Sequence, residues 1–192
     1  MRKRDVKPFI SVETKNIIDK IAFLTGLSIK KICMDLCMHA VTNYAEEELV
    51  TYFKREIILN GKVYAAINKP EKFERKSGEI ERVTMTFDEY THEYLHTFAY
   101  AIGTSIAKVV AYCIERSMSD TSFKTDYVAK SLLSRMCENQ VQLLKEILAD
   151  INHDHLEDKH SMASLLMYIV DEIKEANQNF DMTVENVVST WN

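Results

Sequence analysis

The 192-residue sequence contains no apolar run that approaches the roughly 18 residues needed for a membrane span. Its first segment, MRKRDVKPF, lacks the apolar core of a secretory signal, and no lipidation motif is present. The four cysteines do not have the spacing of a disulfide framework, which is typical of proteins from a reducing compartment. We therefore expect a cytoplasmic protein.

Motifs of the common enzyme classes are also missing. The four glycines form no phosphate-binding loop, and the sequence has neither a nucleophile elbow nor a recognisable catalytic pair. We therefore expect neither an enzyme nor a bound cofactor.

One pattern, a short alternating segment followed by a helix, a glycine and a serine, occurs twice. The first helix of each copy ends at Gly26 or Gly103, and two residues later comes Ser28 or Ser105. The offset of 77 positions between the two glycines aligns the copies without a gap. Internal repetition indicates a unit that cannot cover its own apolar face and pairs with a second copy.

Each copy predicts two amphipathic helices. The first helices share an i, i+1, i+4, i+5 stripe typical of a buried helix face: Ile17, Ile18, Ile21 and Ala22, then Tyr94, Leu95, Phe98 and Ala99. The second helices carry Ile29, Ile32, Cys33, Leu36, Cys37, Ala40 and Val41, then Ile106, Val109, Val110, Cys113 and Ile114. Because the three cysteines align with Val110, Ile114 and Leu36, we predict that they are small buried hydrophobes and form no metal or disulfide site.

The alternating segments predict two strands that each bury one face. Successive strand side chains point to opposite faces. The expected inward residues are Val6, Pro8, Ile10, Val83, Met85 and Phe87, and the expected outward residues are Asp5, Lys7, Phe9, Arg82, Thr84 and Thr86. Pro8 has no N–H and is tolerated because both strands of a two-stranded ribbon are edges. An ordinary hairpin or edge strand with a solvated face is the alternative, and the matching helices count against it.

The two copies resemble the ribbon-helix-helix family of DNA-binding proteins. The second copy carries the pattern more clearly, as RVTMTF, DEYTHEYLHTFAYAIG and TSIAKVVAYCIERSM. The last strand hydrophobe precedes the helix-ending glycine by 16 positions in both copies, from Ile10 to Gly26 and from Phe87 to Gly103. The resemblance covers residues 5–44 and 81–118. It implies that one chain supplies both strands of an antiparallel ribbon that enters the DNA major groove.

The resemblance also implies which residues contact DNA. The residues expected to contact bases are Lys7, Arg82, Thr84, Thr86, Asp5 and Phe9. Arg can donate two hydrogen bonds to guanine, and Thr can hydrogen-bond a base or contact a thymine methyl. Free N–H groups at helix starts attract phosphate, which assigns phosphate anchoring to Ser28, Ile29, Lys31, Ser105, Ile106 and Lys108. A basic arm of Arg2, Lys3 and Arg4 could lie along phosphates. Several alternatives stay open: the serines as plain helix caps, the lysines and the arm as solvated charges, Asp5 as a group that repels phosphate, and Phe9 as a residue that cannot hydrogen-bond a base.

The net charge of the whole chain is −5. This argues against DNA binding, because DNA-binding domains are often basic. Residues 1–121 carry 18 Lys and Arg against 17 Asp and Glu, whereas residues 122–192 carry 6 against 12. The negative charge therefore belongs to the last third of the chain, and DNA binding would depend on local placement of the cations.

The rest of the chain predicts helices and one hairpin. The second helix of the first copy is expected to continue through AEEELVTYFKR, and Asn60-Gly61 predicts a two-residue hairpin turn within IILNGKVYAAI. NKPEKFERKSGE is a polar linker. After residue 120, apolar residues from Phe123 to Ile151 roughly keep a helical period, a break follows at 152–158, and further helices are expected in SMASLLMYIVDEIKEA and near 184–191. This region is either an assembly or partner-binding module or a helical cap on the chain's own core.

Two groups of histidines are candidates for metal sites. HDHLEDKH places His153, His155, Asp158 and His160 close together, but a polar loop of this composition is more often only solvated. His92 and His96 align with Lys15 and Asp19 of the first copy, so a surface position accounts for them. We expect no metal site.

The sequence thus predicts a mainly α fold with a short antiparallel β-ribbon: a tandem ribbon-helix-helix pseudo-dimer followed by a C-terminal helical module. The predicted parts are residues 1–44, the first copy; 45–80, the helix extension, hairpin and linker; 81–121, the second copy; and 122–192, the helical region. The expected function is sequence-specific binding of double-stranded DNA, most often as a repressor of bacterial, phage or plasmid type. The alternatives are an accessory protein of a relaxosome or of plasmid maintenance, and an antitoxin-like protein-interaction module.

Overall fold

The structure, a computed structural model, describes residues 3–73, 78–136, 138–154, 161, 162, 164–166 and 168. It is mainly helical with short antiparallel strand pairs, and the chain divides into two compact units after Thr121. The strands are β1 Arg4–Val6, β2 Phe9–Ser11, β3 Ile57–Leu59, β4 Lys62–Tyr64, β5 Ile80–Arg82 and β6 Met85–Phe87. The helices are α1 Val12–Thr25, α2 Ile29–Asn43, α3 Ala45–Leu49, α4 Glu89–Ile102, α5 Ile106–Ser119, α6 Thr121–Leu133 and α7 Glu138–Asp154, with a 3₁₀ turn at Val50–Tyr52.

Two segments that are distant in the sequence form one antiparallel ribbon. β1 pairs with β6, so that Asp5 lies opposite Thr86, and β2 pairs with β5, so that Phe9 lies opposite Arg82. The register is the same on both sides of Pro8, which interrupts the strand because it has no N–H to donate. Its carbonyl still accepts a hydrogen bond from the Val83 N–H at 3.0 Å. We call residues 4–11 and 80–87 the ribbon.

The ribbon buries one row of side chains and exposes the other, as the alternation predicts. The buried row is Val6, Pro8, Ile10, Val83, Met85 and Phe87. Of the opposite row, Thr86 is half-buried and the other five predicted residues are exposed. Burial of each large apolar side chain contributes about 1.5–3 kcal/mol to the free energy of unfolding. A shift of the strand pairing by one residue would expose the whole buried row, so it is strongly disfavoured.

Helix ends follow the sequence signals in both copies. Gly26 ends α1 with φ 58° and Gly103 ends α4 with φ 74°, the left-handed conformation that glycine adopts without strain. Ser28 and Ser105 then cap α2 and α5, because each hydroxyl accepts a hydrogen bond from the amide three residues later. The predicted caps are therefore confirmed.

The core forms where α2 packs against α5. The buried Ser117 hydroxyl on α5 donates to the Leu36 carbonyl on α2 at 2.7 Å. Cys33, Cys37 and Cys113 are completely buried, as predicted. Burial raises the pKa of the Cys33 thiol to about 12, and a hydrogen bond with Cys113 raises that of Cys37. Both thiols therefore stay protonated and act as packing groups.

The prediction that the second helix continues beyond Asn43 is wrong. Tyr44 has φ −132° and ends α2; the separate helix α3 and the 3₁₀ turn follow. The Tyr44 hydroxyl donates to Asp120 at 2.5 Å, and Arg116 lies 4.0 Å from the centre of its ring. These contacts with the end of α5 turn the chain, so that Leu49 and Phe53 become fully buried.

The expected hairpin is present and is held by one carboxylate. Asn60 and Gly61 have φ of 50° and 77°, as a two-residue turn between β3 and β4 requires. The Glu46 carboxylate on α3 accepts hydrogen bonds from Tyr64 at 2.7 Å and from Tyr94 at 2.9 Å. Glu46 therefore links α3, the hairpin and α4.

The second unit differs from the sequence expectation. The stretch predicted as helical from Phe123 to Ile151 is divided, because α6 ends at Leu133 and α7 begins at Glu138, and α7 runs to Asp154 where a break was expected. Residues 162, 164–166 and 168 are helical. The remainder of the expected helix there and the one near 184–191 lie outside the described residues.

Within the described part of the chain, no single helix is both long and apolar enough to cross a membrane. Only α4 and α5 taken together reach that length and composition there, as a pair bent by 102°.

Truncation of a side chain should cost far more stability on the buried face of the ribbon than on the outward face. Met85→Ala removes a completely buried side chain and should lower the free energy of unfolding by about 2–5 kcal/mol. Thr84→Ala changes the neighbouring exposed position and should cost less than about 1 kcal/mol. Urea denaturation followed by circular dichroism measures both; equal losses would mean that the ribbon is not buried on one face.

Glu46 predicts a pH-dependent contribution to stability. The hydrogen bonds from Tyr64 and then Tyr94 lower the pKa of Glu46 from its ordinary value of 4.5. The stabilisation is therefore present above the pKa of the unfolded state and is lost as the pH falls through the lower pKa of the folded state. Glu46→Gln should reduce the urea midpoint at pH 7, and the difference from the wild type should shrink as the pH falls below 4.5. The exposed neighbour variant Glu47→Gln is the control, and a constant difference at all pH values would contradict the assignment.

Candidate nucleic-acid interface

The outward row of the ribbon forms three cross-strand pairs. Asp5 faces Thr86, Phe9 faces Arg82, and the unbroken register places Lys7 opposite Thr84. The outward face therefore presents hydrogen-bond donors, acceptors and one aromatic ring in a band two residues wide. All six of the residues predicted for base reading lie together on it.

One of these pairs is joined to the start of α2. The Thr86 hydroxyl donates to the Asp5 carboxylate at 2.8 Å and accepts from the Lys30 ammonium at 2.7 Å. The negative charge of Asp5 is thus linked to a cation through one hydroxyl, which reduces the repulsion that an isolated carboxylate would exert on phosphate. The sequence analysis missed this contact, since Lys30 lies outside both strands and no spacing signal connects it with Thr86.

The start of α5 lies beside the opposite edge of the ribbon from the start of α2. Ser105 and Lys108 line the same cavity as Lys7 and Phe9 of the ribbon. A capped helix start therefore flanks each edge of the outward face, that of α2 beside Thr86 and that of α5 beside Lys7 and Phe9.

The helix starts keep amides available for an acceptor. Ser28 caps the Lys31 amide and Ser105 caps the Lys108 amide. The amides of Ile29 and Ile106, the first helical residues, make no hydrogen bond with other described residues. Such free N–H groups, together with the partial positive charge of a helix start, favour an anion.

The cations at this surface differ in whether they form an ion pair within the protein. Lys7, Arg82 and Lys108 form no ion pair with another described residue, so their charges are available to a partner. Lys31 instead pairs with Asp35 at 2.5 Å, which weakens the case for it as a phosphate anchor. The Lys54 side chain, which the sequence did not single out, lies at the turn before α5: its Cδ is 3.7 Å from the position that a Cβ on Gly103 would take.

The basic arm is described only in part. Lys3 and Arg4 are exposed, and Arg2 lies outside the described residues. The pKa of His92, in the first turn of α4, is lowered by partial burial and then by the positive charges of Arg4 and His96. Arg4 therefore lies near the start of α4. His92 is therefore neutral at pH 7 and adds no charge. Its ring stacks on that of His96, with the centres 6.4 Å apart.

Among the residues that the structure describes, no group of three or more metal-binding side chains is arranged to hold an ion. His155, Asp158 and His160 of the HDHLEDKH segment lie outside the described residues, and the structure does not describe the side chain of His153.

No protein-family model, curated protein or solved structure matches this chain. The ribbon and the two helix starts are therefore the features that bear on its function.

Proposed function

We propose that this protein binds double-stranded DNA in a sequence-specific manner by placing the ribbon in the major groove, and that its first unit is a tandem ribbon-helix-helix pseudo-dimer. The observation that carries the proposal is the pairing of residues 4–11 with residues 80–87, with an exposed polar row between two capped helix starts.

The dimensions of the ribbon suit the groove. Two paired strands lie about 4.8 Å apart, and with their side chains they fit a major groove about 12 Å wide. The outward row from residue 5 to residue 9 is about 14 Å long at about 3.4 Å per residue, which corresponds to about four base pairs at 3.4 Å each. The helix starts on the two flanks then face the two phosphate backbones.

The two strands present different chemistry, so the preferred site should not be a palindrome. Arg82, Thr84 and Thr86 come from one strand, and Asp5, Lys7 and Phe9 from the other. Arg82 is the strongest candidate for base recognition, because a free guanidinium can donate two hydrogen bonds to guanine. Phe9 cannot hydrogen-bond a base and supplies an apolar contact.

Repression is the biological role that we propose, since a protein in the major groove excludes others from the same DNA. A site that overlaps a promoter would support repression, whereas a site beside a nicking sequence would indicate an accessory role in DNA transfer. Selection from a random duplex library defines the preferred site, and failure to enrich any sequence would overturn the proposed function.

Arg82→Ala should weaken binding to the selected duplex by about 1–3 kcal/mol and relax the preference at one base pair. Fluorescence anisotropy with single-base variants of the duplex measures both effects. Lys20→Ala, which removes an exposed cation from α1, is the control for net charge. If Arg82→Ala binds every duplex as the wild type does, the ribbon does not read the bases.

Phosphate binding at the starts of α2 and α5 can be tested with variants that keep the helix caps. Asn, Asp and Ser are about equally good N-caps, so neither Ser28→Asp/Ser105→Asp nor Ser28→Asn/Ser105→Asn should lower stability. The aspartate pair should bind DNA at least about ten-fold more weakly at low salt, because it brings two negative charges to the phosphate positions, and the loss should shrink as salt screens them.

The asparagine pair should bind nearly as the wild type does. Equal affinities of the two double variants across a salt titration would show that phosphates do not lie at these helix starts.

A further inference from the structure

A cavity of about 470 Å³ opens between the outer face of α5 and one edge of the ribbon. Its walls include three aromatic side chains, Phe9, Phe73 and Tyr112, and its floor includes Ala107 and Ala111. The rings of Phe73 and Tyr112 lie 5.6 Å apart, and Tyr52 contacts both, which holds the aromatic wall in place. The volume falls within the range of pockets that hold small organic molecules.

The repeat accounts for the small side chains on the floor of the cavity. Under the offset of 77 positions, Ala107 and Ala111 of α5 correspond to Lys30 and Met34 of α2. In the first copy the side chains at these positions are larger, and Lys30 reaches across to Thr86. Two alanines in the second copy leave the corresponding space open.

The charges around the cavity favour an anion. Lys7 and Lys108 line it and form no ion pair with another described residue. Arg116 is neutralised, since it donates to the Glu48 carboxylate at 2.7 Å. Glu115 accepts from the Ser11 amide at 2.9 Å, which holds one carboxylate oxygen at the ribbon and leaves its negative charge in place. The lining therefore carries two cations without an ion pair among the described residues, Lys7 and Lys108, against one carboxylate, a net positive charge.

We infer that this cavity binds a small molecule that combines a flat aromatic body with one carboxylate. The ring lies over Ala107 and Ala111 against Phe73 and Tyr112, and the carboxylate meets Lys7 and Lys108. A planar ring suits the alanine floor because nothing on it projects beyond a methyl group.

Occupancy of the cavity has a regulatory consequence, which rests on the proposed DNA-binding function. Lys7 and the start of α5 are the groups assigned there to DNA, so a carboxylate held between them competes with a phosphate. The ligand is therefore an antagonist of DNA binding, comparable to an inducer in its effect.

Binding is tested on the full chain without DNA, by isothermal titration with indole-3-acetate and with its neutral analogue indole-3-ethanol. Indole-3-acetate should bind at least about ten-fold more tightly than the alcohol. Ala111→Met, which introduces the residue of the first copy, should weaken binding by at least about ten-fold, and Ala107→Met should do the same if Ala111→Met disturbs folding. Lys108→Met should reduce the preference for the acid.

Met34→Ala on α2 is the matched control and should leave binding unchanged. Equal binding of acid and alcohol, unchanged affinity in both alanine variants, or no binding of indole-3-acetate up to millimolar concentration would overturn the site.

Competition is measured separately, by anisotropy of a selected duplex during addition of indole-3-acetate. Displacement that is lost in Ala111→Met supports the antagonist role, and simultaneous binding of duplex and acid overturns it. If no duplex is bound at all, the proposed DNA function fails, while the titration without DNA still decides whether the cavity binds the acid.

Discussion

The burial of one row of ribbon side chains is the constraint on which the first unit depends. Neither strand segment can cover its own apolar residues, and a two-stranded ribbon is marginal in water by itself. Val6, Ile10, Met85 and Phe87 are each at most 3% exposed, which requires the two segments to pair in one register over the packed helices. The same register turns the polar row outwards, so the core and the proposed DNA-reading face result from one alternation.

Sequence differences between the two copies give the first unit two unequal sides. Both helix starts keep a serine cap, but Lys30 and Met34 on one side correspond to Ala107 and Ala111 on the other. The lysine joins the ribbon through Thr86, whereas the alanines leave a cavity beside Lys7 and Lys108. The two halves of a single chain can differ because each has its own sequence. In a homodimer every substitution would appear in both subunits.

Much of the fold could be predicted because its signals are local or periodic. The αL glycines, the serine caps, the Asn60-Gly61 turn and the in-out alternation each depend on a few neighbouring residues. The continuation of α2 was predicted wrongly because Tyr44 breaks the helix through contacts with Asp120 and Arg116, which lie more than 70 residues away. The break between α6 and α7 was missed because the apolar period continues across it.

The sequence alone is enough to identify the buried and outward rows of the ribbon, the glycines that end α1 and α4, and the serines that cap α2 and α5, because the strand period and the helix-end signals are local. What those side chains contact depends on the packing of elements that are distant in the sequence. Asp5 is linked to Lys30, Lys31 is paired with Asp35, Lys54 lies beside Gly103, and a linker phenylalanine closes the wall of a cavity on α5. Such contacts join residues far apart in the chain, and no local pattern encodes them because they depend on how the packed elements approach one another.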